Sequence, residues 1–307
     1  MKKSIAFFTE MGFEGKVPRS HTNSRTEFSW MIALDADHYN LYTHPKNIKY
    51  DLGIVIIPKE TREFSLESIR TVCSKVAVMQ EGPHWFFQDY PLERQIWYYN
   101  TIIESDHLFV HNSLDKKYFK GVTGKEEISI LPSLMIEDTL NEIPEVNREG
   151  VMIGGTFVSW YGGFDSYIIS QEITDNISSP SMGRSQPQED QLVNKLPYME
   201  WVHWMYELNK YKIGVHLMRT HAAGTFSLNC AYLGIPCIGY EGLDTQEICH
   251  PSLTVKLGDL ETAKEKIRLL EGDPDFYDKC SQEAREGYET NFKEEVFLKK
   301  TSWIFDK

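Results

Sequence analysis

The stretch RTHAAGTFSLNCAYLGIPCIGY, residues 219–240, sets the small-residue turn Ala222-Ala223-Gly224-Thr225 directly before a short apolar helix that ends in Gly-Ile-Pro. A turn without bulk lets a ligand touch bare backbone at a helix start. The first amide N–H groups there have no intrahelical partner, and the helix dipole favours negative charge, so the chemistry on offer is anion binding. The same residues also suit a tight strand-to-helix connection that binds nothing, so the turn needs support from its surroundings. Other reactive residue types offer less. Cys73, Cys230, Cys237, Cys249 and Cys280 have no C-x-x-C spacing and read as reduced, buried thiols, neither a disulfide scaffold nor a zinc site. His216, His221 and His250 lack the short spacing of metal ligands and read as loop or core histidines.

The elements that must hold this turn follow from the hydrophobic pattern. A chain of 307 residues suggests two domains or one large one, and 41% hydrophobic content is enough to bury a sizeable core. A net charge of -13 argues against broad binding to nucleic acid or anionic membrane, while leaving room for a local basic groove. The opening MKKSIAFFTEMGF is too short, and too soon interrupted by Glu10, for a signal peptide, and no run approaches the length of a membrane span. The expected location is cytoplasmic. Short apolar runs alternate with amphipathic stretches, the signature of βαβ units. Strands are expected at 4–9, 52–58, 75–80, 107–112 and 128–134, with helices at 24–37, 65–73, 92–105 and 113–122 between them. In the first of these helices Ser24 is the candidate N-cap, and Glu27 completes a capping box. The polar, acidic stretch 135–150 reads as a linker. The pattern then restarts with a strand at 151–157 running into Gly154-Gly155, a Ser/Pro/Gly-rich loop at 178–190 and a helix at 199–211. A strand at 212–218, a helix at 225–234 and strands at 235–240 and 253–258 follow, then an amphipathic helix at 260–272 and helix to the end. Two α/β halves therefore face each other, and a cleft beyond the carboxyl ends of their strands is the default site.

Three pieces in order, LPYMEWVHWMYELNKYKIGVHLM (196–218), RTHAAGTFSLNCAYLGIPCIGYEG (219–242) and GDPDFYDKCSQEAREGYETNF (272–292), resemble the donor domain of glycosyltransferases with the GT-B architecture. The resemblance spans roughly Val151 to Phe292. It implies an α/β fold of two facing Rossmann-like domains: an acceptor-side domain at 1–140, a nucleotide-sugar domain at 141–287, and a C-terminal helix at 288–307 that crosses back to the first. It also implies a nucleotide-sugar donor, a UDP-sugar first. The diphosphate would meet the backbone of Gly224, Thr225 and Phe226 beside Thr220, with Gly154, Gly155 and Thr156 of IGGTFVSWYGG supplying backbone and hydroxyl groups. Retaining members carry two glutamates seven residues apart across this loop, and those positions fall on His221 and Asn229. Asn229 would then meet a ribose hydroxyl, without the charge-assisted bond of a carboxylate, and His221 the sugar or phosphate. The basic pair expected after the donor-domain glycine is absent, which leaves Arg219 and Arg184 as the nearest replacements.

An inverting transfer needs a base to take the proton of the acceptor hydroxyl. Glu81, directly after an expected strand and before the turn Gly82-Pro83, fits best, with Glu10, Glu14 and His21 near the end of the first strand behind it. The aromatics of HWFFQDY (84–90) suit either stacking on a ligand or a packed core edge. Asp35-Ala36-Asp37 matches the D-x-D metal motif of the other large glycosyltransferase fold, but here it is expected to end an amphipathic helix with both carboxylates in solvent, and no metal is expected. The lysines at 113–127 and 291–303 read as solvated helix faces. The resulting expectation is a metal-independent transfer of a hexosyl group from a nucleoside-diphosphate sugar to a hydroxyl on a glycan, a small molecule or a hydroxymethylated DNA base. The alternatives are a nucleotide-sugar epimerase, for which no suitable pair of acids is evident, and a catalytically silent nucleotide-sugar-binding module.

Overall fold

Runs such as LGIVII and VAVM show no polar alternation, which suits strands covered on both faces. In a computed structural model, which describes residues 3–10, 14–58, 63–140 and 143–306, these runs form the middle of a seven-stranded sheet. Its strands are β1 (Ile5–Thr9), β2 (Gly15–Lys16), β3 (Asp37–Asn40), β4 (Tyr50–Ile57), β5 (Cys73–Gln80), β6 (His107–Val110) and β7 (Ile128–Ile130). They are ordered β2-β3-β1-β4-β5-β6-β7, parallel except for the β2–β3 pair. The central register sets Val55 beside Val78.

The second sheet holds β8 (Val151–Ile153), β9 (Ile177–Ser179), β10 (Asn194–Lys195), β11 (Ile213–His216), β12 (Cys237–Tyr240) and β13 (Thr254–Val255). Its order is β10-β9-β8-β11-β12-β13, with every pair parallel. This is the doubly wound Rossmann order, and its strand direction of travel reverses between β8 and β11, where such sheets open a crevice. Two facing Rossmann-like halves are thus present, as the sequence led us to expect. The closing helices Glu294–Thr301 and Trp303–Asp306 return to the first sheet: Phe297 and Ile304 bury in one cluster with Phe7, Met31 and Phe109.

Several local expectations change. The helix expected at 24–37 runs only over Glu27–Leu34, with Thr26 at its cap and no side-chain cap hydrogen bond. The capping box does not form because the Ser24 hydroxyl bonds instead to the His21 carbonyl. Asp35 then takes the left-handed conformation and Asp37 opens β3, so the D-x-D segment links a helix to a strand. Lys16 pairs with Asp35 at 2.7 Å and the Tyr50 hydroxyl donates to Asp37, so both carboxylates have partners. Ser178 and Ser179, expected in a loop, belong to β9. Within the expected linker, Met135, Ile136 and Leu140 are buried, and the Tyr288 hydroxyl donates to Glu137.

Candidate functional site

The carboxyl ends of the two sheets face each other across a cleft of ≈ 400 Å³. Gln80 and Glu81 reach it from the end of β5, and Gly154 reaches it from the end of β8. Thr220, Gly224, Thr225 and Phe226 complete the opposite wall. A larger hollow of ≈ 840 Å³ lies at the amino-terminal edge of the first sheet, beside Lys75, His107 and Trp303. Ligands of parallel sheets sit at carboxyl ends, so the smaller cleft is the candidate site.

The helix Thr225–Leu233 begins at this wall. Gly224 caps it with φ 69°, and among the described residues no side chain bonds to its first amides, which leaves them open to an anion. The loop is held from both sides. Asn112 Nδ2 donates to the Ala222 carbonyl at 3.1 Å and Ser133 Oγ to the Ala223 carbonyl at 2.5 Å, both from the first half. Thr245 Oγ1 donates to the Gly224 carbonyl at 3.0 Å from behind. Gly154 has no room for a side chain: an added Cβ would overlap the His216 ring and lie 2.8 Å from Phe226 Cδ1. Backbone is therefore the only surface that position can offer to the cleft.

A side chamber of ≈ 180 Å³ continues from Gly154, Thr225 and Phe226 toward Met182, Tyr198 and Asn229. Asn229 is buried. In the amide orientation that satisfies both its groups, Oδ1 accepts from Trp204 Nε1 at 3.0 Å and Nδ2 donates to the Thr225 carbonyl at 3.2 Å. Its first task is thus to fix the helix start against an indole. Gly155 lies against Tyr161, and the Thr156 carbonyl accepts from the Gly163 amide at 3.2 Å.

The remaining residues singled out from sequence are spread more widely. Arg219 is exposed and pairs with Asp165 at 3.1 Å, while Arg184 lies over the Trp160 ring at 4.5 Å, at the rim of the cleft that Trp160 lines. The His221 ring rests against Gly242, outside the cleft lining. Glu10 and Glu14 are exposed and also lie outside that lining, and His21 packs edge-on to Phe28 at 4.9 Å. Of the four candidate bases, Glu81 is the one in the cleft wall. The HWFFQDY aromatics pack: Phe87 stacks on Tyr98 at 5.1 Å and Phe86 meets Trp160 edge-on at 5.0 Å. Sequence reasoning missed Arg25 and Thr26, which line the cleft from the first half, because only the folded chain brings them to Thr225. Among the described residues no three His, Cys, Asp or Glu side chains form a metal-binding group, and no helix is long and apolar enough to cross a membrane.

The floor of the second half rests on neutral histidines. His250 Nδ1 accepts from the Cys237 amide at 3.3 Å while Nε2 donates to the Ser227 carbonyl at 2.9 Å, a pattern only the neutral ring can make. Burial pushes His250 and His216 down to about 4, and does the same to His38, whose Nε2 lies 2.7 Å from Thr9 Oγ1. The unfolded chain protonates these rings near pH 6.5, so their stabilisation is complete above that pH and is lost as pH falls toward 4. By pH 5 the expected loss is on the order of 2 kcal/mol per ring, before most carboxylates titrate. Urea midpoints at pH 7.5 and pH 5 measure it, and equal midpoints would contradict the assignment.

No protein-family model matches the chain, and no curated protein does. Solved structures do match. A sucrose-phosphate synthase from Thermosynechococcus elongatus aligns over 99% of this chain and 98% of its own, with a TM-score of 0.68 at 9% identity. HepE from Anabaena, in complex with UDP, aligns over 99% of each chain with a TM-score of 0.66 at 8% identity. An alpha-glucosyltransferase in complex with UDP and a 13-mer DNA containing an HMU base aligns over 100% of each, with a TM-score of 0.63 at 13% identity. The fold is GT-B. At 8–13% identity these chains share the GT-B architecture, two Rossmann-like domains facing across a cleft, over nearly their whole lengths.

Proposed function

We propose that the protein transfers a sugar from a UDP-sugar to an acceptor hydroxyl in the cleft between its two sheets. The observation that carries this reading is the uncapped helix start at Gly224–Phe226, held open toward the cleft and facing Glu81 across it. In the reaction the acceptor oxygen bonds to the anomeric carbon as the bond from that carbon to the diphosphate oxygen breaks. The hydroxyl proton passes to the Glu81 carboxylate, and UDP leaves with the electron pair. The amides at the helix start meet the charge that develops on the leaving oxygen, the usual use of preorganised donors in catalysis. No metal enters this scheme. Structural neighbours solved with UDP, and in one case with UDP and glucose, support the choice of donor class. Glycans, small molecules and hydroxymethylated DNA are the acceptor classes to assay. DNA comes first because one neighbour was solved with it.

A panel of nucleotide sugars read by thermal unfolding tests the donor. A ligand at 100 times its Kd is expected to add about 2.7 kcal/mol of stability, a shift of several degrees, with the cognate donor giving the largest. Release of UDP from that donor, with or without acceptor, then separates an enzyme from a silent binding module. If no nucleotide sugar or UDP raises the midpoint, the donor site is wrongly assigned.

A further inference from the structure

Arg25 occupies an unusual position between the halves. It belongs to the segment that precedes helix Glu27–Leu34 of the first half, yet it lines both the cleft and the side chamber, alongside Gly154, Thr225 and Phe226 of the second. Among the described residues it is the one lysine or arginine lining either space. The other nearby guanidinium groups are engaged: Arg219 with Asp165, Arg184 over Trp160, and Arg19 with Asp138 and Glu294. Among the described residues no hydrogen bond, ion pair or ring contact holds the Arg25 side chain, although the residue is half-buried. Withdrawing a cation from water without a partner is costly, so such a group points to a ligand that supplies the missing charge.

The backbone around Arg25 is fixed on both sides. Upstream, the Thr22 carbonyl accepts from the Val202 amide of the second half at 3.0 Å. Downstream, Thr26 holds φ 49° and ψ -113°, a strained conformation for a β-branched residue, with its hydroxyl 3.5 Å from that of Thr225. This strain carries the chain past the start of helix Thr225–Leu233 and leaves Arg25 at the junction of cleft and chamber. Glu27 and Glu81 also line the cleft, so an incoming dianion meets two carboxylates. A guanidinium there offsets that repulsion, and its planar fork matches two phosphate oxygens.

We propose that Arg25 binds the diphosphate of the donor from the first half, opposite the amides that begin at Gly224 in the second. The proposal rests on the reading of the cleft as a nucleoside-diphosphate site. It makes the diphosphate a bridge, so that donor binding joins the halves.

The test compares UDP with uridine by calorimetry on wild-type protein, Arg25→Ala and Arg25→Lys. Losing a charge-assisted pair is expected to weaken UDP about 10- to 100-fold in Arg25→Ala, leave uridine unchanged, and be partly restored in Arg25→Lys. Inorganic pyrophosphate is expected to compete with UDP on wild-type protein and poorly on Arg25→Ala. Equal UDP affinity in wild-type and Arg25→Ala protein overturns the proposal while leaving the cleft reading intact. Parallel losses of UDP and uridine also overturn it, because a merely structural arginine would behave so. Failure of wild-type protein to bind UDP removes the cleft reading and this proposal together.

Discussion

Glu81→Gln is expected to lower turnover by about 10²- to 10⁴-fold, the usual contribution of a positioned general base, with UDP affinity unchanged to within a factor of about two. The substitution keeps the shape of the side chain and removes its ability to accept a proton. Its position supports the assignment: the backbone leaves β5, the Glu81 amide bonds to the Ile57 carbonyl at 3.4 Å, and the residue lines the wall opposite Thr225. Multiple-turnover kinetics with a saturating donor, together with UDP binding by calorimetry, separate the chemical step from binding. Unchanged turnover would reject Glu81 as the base. Glu10, Glu14 and His21 would then need to approach the cleft from outside its present lining.

Gly224→Ala is the second large expected effect, and it falls on donor binding and stability together. A Cβ at this position would overlap Thr245 Oγ1 and lie 3.1 Å from Leu243 Cγ. Thr245 has little freedom to move, being buried and bonded to the Gly224 carbonyl at 3.0 Å and to Ser227 Oγ at 2.8 Å. The backbone at φ 69° adds about 1–2 kcal/mol for any L residue. Gly124 provides the control, with φ 66° and no atom within 4 Å of an added Cβ. Gly124→Ala should therefore show the conformational cost alone. Gly224→Ala should lose about 2–4 kcal/mol in urea unfolding and at least about tenfold in UDP affinity, since overpacking is added to the strain. If Gly224→Ala bound UDP as tightly as wild-type protein, the amides at this helix start would not be the anion site.

The comparison of sequence with structure has a physical pattern. Runs covered on both faces declared themselves: β4 and β5 stand where continuous apolar residues put them, and helix Leu260–Gly272 matches its amphipathic stretch end to end. Strand β3 did not, because Asp37-His38-Tyr39-Asn40 carries no apolar run. Two of its side chains bond to partners distant in sequence, Asp37 to Tyr50 and His38 to Thr9. The capping box at Ser24 was a sound local signal overridden by the bond from the Ser24 hydroxyl back to the His21 carbonyl. The turn before helix Thr225–Leu233 was legible because its spacing is local: Gly224 starts the helix and Gly234 ends it, both left-handed. Arg25 was not, since its meaning comes from Thr225, two hundred positions away along the chain. Residues that act within one turn or one strand could be read directly; those that act across the cleft needed the folded molecule.

The return of the last helices to the first sheet has a mechanical outcome. The chain passes between the halves twice, and the two passages run side by side, with Met135 bridged to Lys293. Two adjoining crossings at one place form a hinge about which the halves can swing. Among the described residues, the bonds that an opening of the cleft would break include Asn112 to Ala222, Ser133 to Ala223, Ser113 to Asp244 and Val202 to Thr22.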